Sequence, residues 1–241
     1  MKKILGILFL LIVIAVGVCV FFFPGIPYYY KCTHEFELLE NTVSELPAGS
    51  VLPDDYADYS NLGVRVTAWG DMEAQRTDDK NQGLWENKDG SHFISVYSEN
   101  LGDNYDFLDR TGISHEALGR YCKAVEKTTP EFPYDFVKLV ASITMEDFDI
   151  HDSKNAKTFY KMMGLKNDEF CHGADCSADL YIVDGVGYHG YMRTLESASG
   201  ENDAVINIYP EKNKHRRYII SLSFTDRDDI LAIAESVKLT E

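Results

Sequence analysis

The sequence predicts an α+β fold: an N-terminal transmembrane helix followed by an antiparallel sheet covered by helices. Three observations carry that expectation. Ile4 to Phe23, ILGILFLLIVIAVGVCVFFF, contains no charged side chain. Apolar residues then recur at a period of two, first from Val64 and again from Leu180. Between those stretches the spacing is helical, so the order is strands, helices, strands, helix, which is an α+β layout.

The leading run comes first. At about 1.5 Å per residue it makes a helix of roughly 30 Å, the thickness of a bilayer's hydrocarbon core. A cleaved signal peptide has an apolar core of about 7 to 15 residues and a small-residue cleavage site. Here the run continues through Phe23 into Pro24, with no A-x-A-like site after it. The expectation is an uncleaved signal-anchor, with a secreted effector released by cleavage as an alternative. Tyr28, Tyr29, Tyr30 and Lys31 suit the membrane interface, where amphipathic rings and snorkelling lysines settle. Lys2 and Lys3 precede the span, and Lys31 is the only Lys or Arg from Pro24 to Leu62. The positive-inside bias therefore gives a single-pass protein with a short cytoplasmic N-terminus and an extracytoplasmic domain. The expected organisation is an anchor with its interfacial belt over 1–31, a juxtamembrane helix and linker over 32–62, and the α+β domain over 63–241.

Composition agrees with an acidic ectodomain. Lys and Arg number 23 against 39 Asp and Glu, a formal net charge of −16. Such a surface repels nucleic acid, so nucleic-acid binding is excluded as a function class. No Asn starts an N-x-S/T pattern, which fits a bacterial envelope protein better than a eukaryotic secreted one.

Within the body, Thr33 to Leu46 reads as a helix with Thr33 as N-cap and Phe36, Leu39, Val43 and Leu46 on one face, stopped by Pro47. Residues 47–63 read as a connection. Val64, Val66 and Ala68 alternate with polar or larger neighbours as a strand, and Leu84–Asn87 and His92–Tyr97 flank Lys88-Asp89-Gly90 as a hairpin, giving a three-stranded antiparallel start. Ser114 caps a helix carrying Leu118, Tyr121, Cys122 and Val125, with Ile113 as its hydrophobic staple. A second helix runs from Tyr134 to Ile143. A third starts near Asp152 or Ser153 and ends at Gly164 as C-cap. Leu180–Val183 and Tyr188–Thr194 form a hairpin around Asp184-Gly185-Val186-Gly187, and Ala204–Tyr209 pairs with Arg216–Phe224. Thr225 caps a final helix whose stripe is Ile230, Ile233, Ala234 and Val237.

The ending RRYIISLSFTDRDDILAIAESVKL, a strand running into an amphipathic helix, resembles the C-terminus of PsbP-like α/β/α sandwich domains, and GVRVTAW with the Asp-Gly hairpin is compatible. Several such domains are membrane-anchored bacterial envelope proteins. The resemblance implies a sandwich that acts as a binding or assembly module, and it carries over no catalytic residue.

The sharpest chemical feature is Cys171-His172-Gly173-Ala174-Asp175-Cys176. It admits a disulfide between Cys171 and Cys176, free thiols, or a zinc or copper site aided by His151 or His189. Four cysteines lie beyond the apolar run, and a Cys32 to Cys122 link is less expected than a buried Cys122. His34-Glu35 and His115-Glu116 begin an H-E-x-x-H pattern, but Leu38 and Gly119 stand at the last position. The acidic groups at Asp103, Asp106 and Asp109 and from Glu146 to Asp152 lack an EF-hand's glycine and terminal Glu and read as solvated surface. Trp69, Trp85, Tyr188 and Tyr191 are candidates for a ligand groove, although strand aromatics more often form core. No catalytic or metal residue is assigned and no cofactor is implied. The expected function is a non-enzymatic, membrane-tethered extracytoplasmic binding or assembly module for a protein partner or small ligand. The alternative is a metal- or thiol-dependent envelope enzyme using Cys171, His172 and Cys176.

Overall fold

A computed structural model describes residues 2–36, 44–102, 105–170, 179–196, 202–213, 215–224 and 226–240. The fold is α+β, and the chain divides into two compact units, one formed by residues 1–40 and 107–169, the other by 41–106 and 170–241.

The first unit is helical. It contains α1 (Lys2–Phe22), α2 (Ile26–Glu35), α3 (His115–Ala124), α4 (Pro133–Ser142), a single 3-10 turn at Met145–Asp147, and α5 (Ser153–Phe170). Ser114 caps α3 by accepting from the Ala117 N–H at 3.2 Å, as its sequence signature predicts. Leu118, Tyr121 and Cys122 of α3 join Phe136 and Val140 of α4 and Phe159 and Met162 of α5 in one buried cluster. The ammonium of Lys166, itself 1% exposed, donates to the Ile143 carbonyl at 2.8 Å, just past the end of α4. Burial pushes its pKa down. The acidic residues around this core have structural tasks. Asp152 accepts from the Lys154 and Asn155 N–H groups and so caps α5. Asp147 closes a capping box with Thr144 and pairs with Lys127 at 3.3 Å.

Two helix boundaries differ from the sequence expectation. Thr33 does not begin a helix; it lies in the last turn of α2, where its hydroxyl donates to the Tyr29 and Tyr30 carbonyls, and Ser44–Glu45 is extended. Residues 37–43 of that expected helix lie outside the described set. Gly164 does not end α5, which runs six residues further to Phe170. A Cβ there would sit 3.5 Å from the Phe36 ring, an ordinary contact distance, so the helix passes through the position without needing a glycine.

The second unit carries two sheets. An eight-stranded sheet has the order β1 (Ser44–Glu45), β7 (Asp179–Ile182), β8 (Tyr188–Glu196), β9 (Asn202–Pro210), β10 (Arg216–Phe224), β6 (Phe93–Asn100), β5 (Gln82–Glu86), β4 (Glu73–Gln75). A smaller sheet has the order β11 (Lys238–Leu239), β3 (Val64–Trp69), β2 (Tyr56–Asn61). The large sheet is mixed, because two-residue β1 runs parallel to β7 while the other pairs are antiparallel. So short a strand leaves no periodicity in the sequence. Ile220 lies opposite both Val96 and Ile206, and this row of apolar residues continues as Tyr218 and Leu222 along β10. Helix α6 (Arg227–Ser236) covers the sheet through Ile230, Ile233, Ala234 and the following Val237, in one core with Val64 and Val66 of β3. Its N-cap is Asp226, which accepts from the Asp228 N–H at 2.8 Å; Thr225 is outside the described residues. Ser236 ties α6 to β3 by accepting from the Thr67 N–H at 2.9 Å.

The expected three-stranded start is also corrected. β5 and β6 form the Asp89-Gly90 hairpin, but β3 pairs instead with β2, across a turn in which Leu62 and Gly63 have φ of 56° and 87°. A two-residue turn with both φ positive matches the twist of the strands it joins.

Buried tyrosines make both units sensitive to alkali. Burial, with Asp184 adding to it, pushes Tyr188 up to about 12, and its hydroxyl donates to the Val237 carbonyl at 3.0 Å. Burial also raises Tyr121, with Asp147 next in effect. An unfolded chain releases these protons first as pH passes the ordinary tyrosine value. The stabilisation is therefore whole below about pH 10 and is lost as pH climbs toward the folded values. For Tyr188 alone the expected loss at pH 11 is about 1 kcal/mol. Urea midpoints at pH 8 and pH 11 measure this, and Tyr188→Phe is expected to lessen the difference for the sheet unit.

Candidate functional site

Two places stand out: the elbow between α1 and α2, and a polar recess on the sheet unit. At the elbow, Pro24 and Gly25 separate two helical runs, and Pro27 sits in the first turn of α2, where a missing N–H costs nothing. The Gly25 N–H donates to the Ile150 carbonyl at 2.9 Å. His151 Nδ1 lies 3.0 Å from the Phe22 carbonyl, one of the last of α1, and the His151 ring is 5.1 Å from that of Phe23. The ring of Tyr29 meets Phe148 edge-on at 5.5 Å, and Tyr28 approaches Tyr160 at 6.0 Å. Tyr160 in turn hydrogen-bonds Glu35 and lies under the Lys31 ammonium. Gly25 has no room for a side chain, because a Cβ would stand 2.8 Å from the Ile150 oxygen and 2.9 Å from its Cα. The start of α2 is thus fastened to the 148–151 segment by backbone, ring and imidazole contacts.

Along α1 the described side chains are exposed, among them Phe9 at 68% and Phe21 at 79%. Among the described residues no single helix is long and apolar enough to cross a membrane; Leu11–Phe22 and Ile26–Glu35 meet that measure as a pair bent by 86°.

The recess has a volume of about 510 Å³ and is lined by Asp55, Trp69, Asp71, Asn87, Asp89 and His92, among others. The Trp69 and His92 rings stack at 4.2 Å with an interplanar angle of 16°. Asn87 is held in the hairpin by accepting from the His92 N–H and donating to the Ser91 hydroxyl, both at 3.0 Å. Asp89 accepts from the Ser91 N–H, which lowers its pKa. With three carboxylates and an aromatic wall, the recess suits a donor-rich or cationic group rather than an anion.

Of the four aromatics expected to line a groove, only Trp69 borders this recess. Trp85 is buried against Tyr59, with ring centroids 5.8 Å apart. Tyr188 is buried, donates to the Val237 carbonyl and borders a second recess of about 370 Å³ with Leu46, Asp184 and Glu235, and Tyr191 is buried with its ring 6.4 Å from that of Tyr209. The sequence reading missed His92 and Asn87; their signal was the hairpin, whose polar turn residues stand close to Trp69.

Cys171, His172 and Cys176 lie outside the described residues. Cys32 and Cys122 are free thiols, both buried. Burial, with Glu35 second, pushes Cys32 up to about 11, and burial also raises Cys122, so both are protonated at neutral pH. His151 belongs to the helical unit, while His189 belongs to the sheet unit and sits 3.2 Å from Asp184. Among the described residues no group of three or more His, Cys, Asp or Glu is placed to hold a metal ion.

No protein-family model and no curated protein matches the chain. A solved structure from Bacteroides thetaiotaomicron VPI-5482 is similar at 7% identity and a TM-score of 0.32, over 74% of this chain and 46% of that one. The chain thus spans under half the length of that protein.

Proposed function

We propose that this protein is a membrane-tethered extracytoplasmic module that works by binding or assembly and not by catalysis. The observation behind the proposal is the exposed apolar surface of α1, continuous with the uncharged run Ile4 to Phe23. Exposed apolar side chains of this size and number need a nonaqueous partner, and the run has the length of a hydrocarbon core. Lys2 and Lys3 hold the N-terminus on the cytoplasmic side, which leaves the acidic sheet unit outside. The binding role is favoured by the absence of any complete catalytic motif in the sequence and by the recess at Trp69 and His92.

The intact mass of the mature protein is expected to include residues 4–23. A mature N-terminus beyond Phe23 would make it a released effector and refute the tether. Chemical cross-linking on intact cells is expected to trap the ectodomain in a discrete heavier adduct. Turnover of an envelope substrate that is abolished by Cys171→Ser or Cys176→Ser would favour a thiol or metal enzyme instead.

A further inference from the structure

We infer that α2 is an interfacial helix, lying along the headgroup layer of a phospholipid bilayer and pressing the helical unit against the membrane in one orientation. The inference rests on the reading of α1 as a span and goes beyond it, since a tether alone leaves the body free to tumble. Three observations lead to it.

The first is the angle. The axes of Leu11–Phe22 and Ile26–Glu35 differ by 86°. A helix at a right angle to one that crosses the bilayer runs in the membrane plane, and the loop between them is only Phe23 to Gly25. At the end of α1, α2 therefore begins at the edge of the hydrocarbon and has no length in which to leave it.

The second is that the angle is fixed by contacts within the helical unit. Gly25 bonds to Ile150, His151 approaches the Phe22 carbonyl, and Tyr29 packs on Phe148. The segment 148–151 is thereby held at the same level as the end of α1.

The third is the chemistry of the exposed side of α2. Tyr30 is 61% exposed and stacked on His34 with ring centroids 3.8 Å apart, Tyr29 is 46% exposed, and Ile26 is 38% exposed. Tyrosines with one wet end and one apolar body, beside Lys31, are the residue types that settle at headgroup depth. The opposite side carries Cys32, fully buried in the helical core. One side of α2 is thus protein-facing, and the other offers aromatic surface separated in the chain from the exposed Phe21 and Phe22 of α1 only by Phe23 to Gly25. That closeness to the apolar run, with the 86° angle, commits the occupant to lipid and not to a second protein.

The test uses the full chain reconstituted in phosphatidylcholine vesicles, with the photoreactive residue p-benzoylphenylalanine at position 30 or, as a control, at exposed Glu116 on α3. Position 30 is expected to give at least about ten-fold more lipid adduct than position 116 by mass spectrometry, as interfacial burial requires. Equal, low yields from a protein that stays with the vesicles after alkaline carbonate washing would overturn the inference while leaving the span intact. Loss of the protein from the vesicles on washing would overturn both readings. Adducts at position 30 made mainly with a second protein chain would show that α2 is a protein-docking helix, and would also overturn it.

Discussion

Gly25→Val is expected to unfasten α2 from the helical unit. The new side chain would meet the Ile150 carbonyl and Cα and the Asp149 carbonyl, all at 3.0 Å or less from its Cβ alone. These are backbone atoms, so no neighbouring side chain can swing aside. The chain must instead move Gly25 outward, which breaks its hydrogen bond to Ile150 and draws His151 from the Phe22 carbonyl. Overpacking together with a lost backbone bond costs about 2–4 kcal/mol. Hydrogen exchange in detergent micelles reads the outcome: amides of Ile26–Glu35 are expected to lose protection while β9 and β10 keep theirs. Unchanged protection along α2 would mean that the elbow is not held by this contact.

Phe159→Ala is the second large effect. Phe159 is fully buried, its ring lies 5.2 Å from Phe148 and 6.3 Å from Tyr121, and it belongs to the cluster that joins α3, α4 and α5. Removing a buried aromatic ring loses its transfer energy and leaves a cavity, together about 3–5 kcal/mol. Because Phe148 also carries Tyr29, the damage is expected to reach α2. Urea unfolding followed by amide exchange is expected to lower the midpoint of the helical unit. A loss below about 1 kcal/mol would mean that this core is not the one that holds the helices together.

Much of the sheet unit is legible in the sequence because its strands are bounded by residues that permit few conformations. Asp89-Gly90 fixes one hairpin and Gly187, with φ of 82°, another; Tyr218, Ile220 and Leu222 alternate cleanly because one side of β10 is core. β2 is hidden because its burial is weak: of Tyr56 to Asn61 only Tyr59 is buried, and Asp58 is occupied by Thr67 and Arg65 at the surface. β1 and β11, at two residues each, are set by the strands they join and carry no local signal. Gly164 illustrates the ambiguity of glycine, which in a sequence signals a left-handed cap but here lies inside α5, where a Cβ would meet the Phe36 ring only at ordinary contact distance. The elbow has a sequence trace in Pro24, Gly25 and Pro27, but its angle comes from Ile150 and His151, more than a hundred residues away.

Membranes from cells producing the full chain, washed with alkaline carbonate and then exposed to protease from the outer side, give the most direct reading of the central claim. The expectation is that the protein remains in the pellet and loses its body to the protease, leaving a membrane-protected fragment that contains Ile4 to Phe23. Recovery of the protein in the carbonate supernatant, or a C-terminus that survives protease until the membrane is broken, would contradict it.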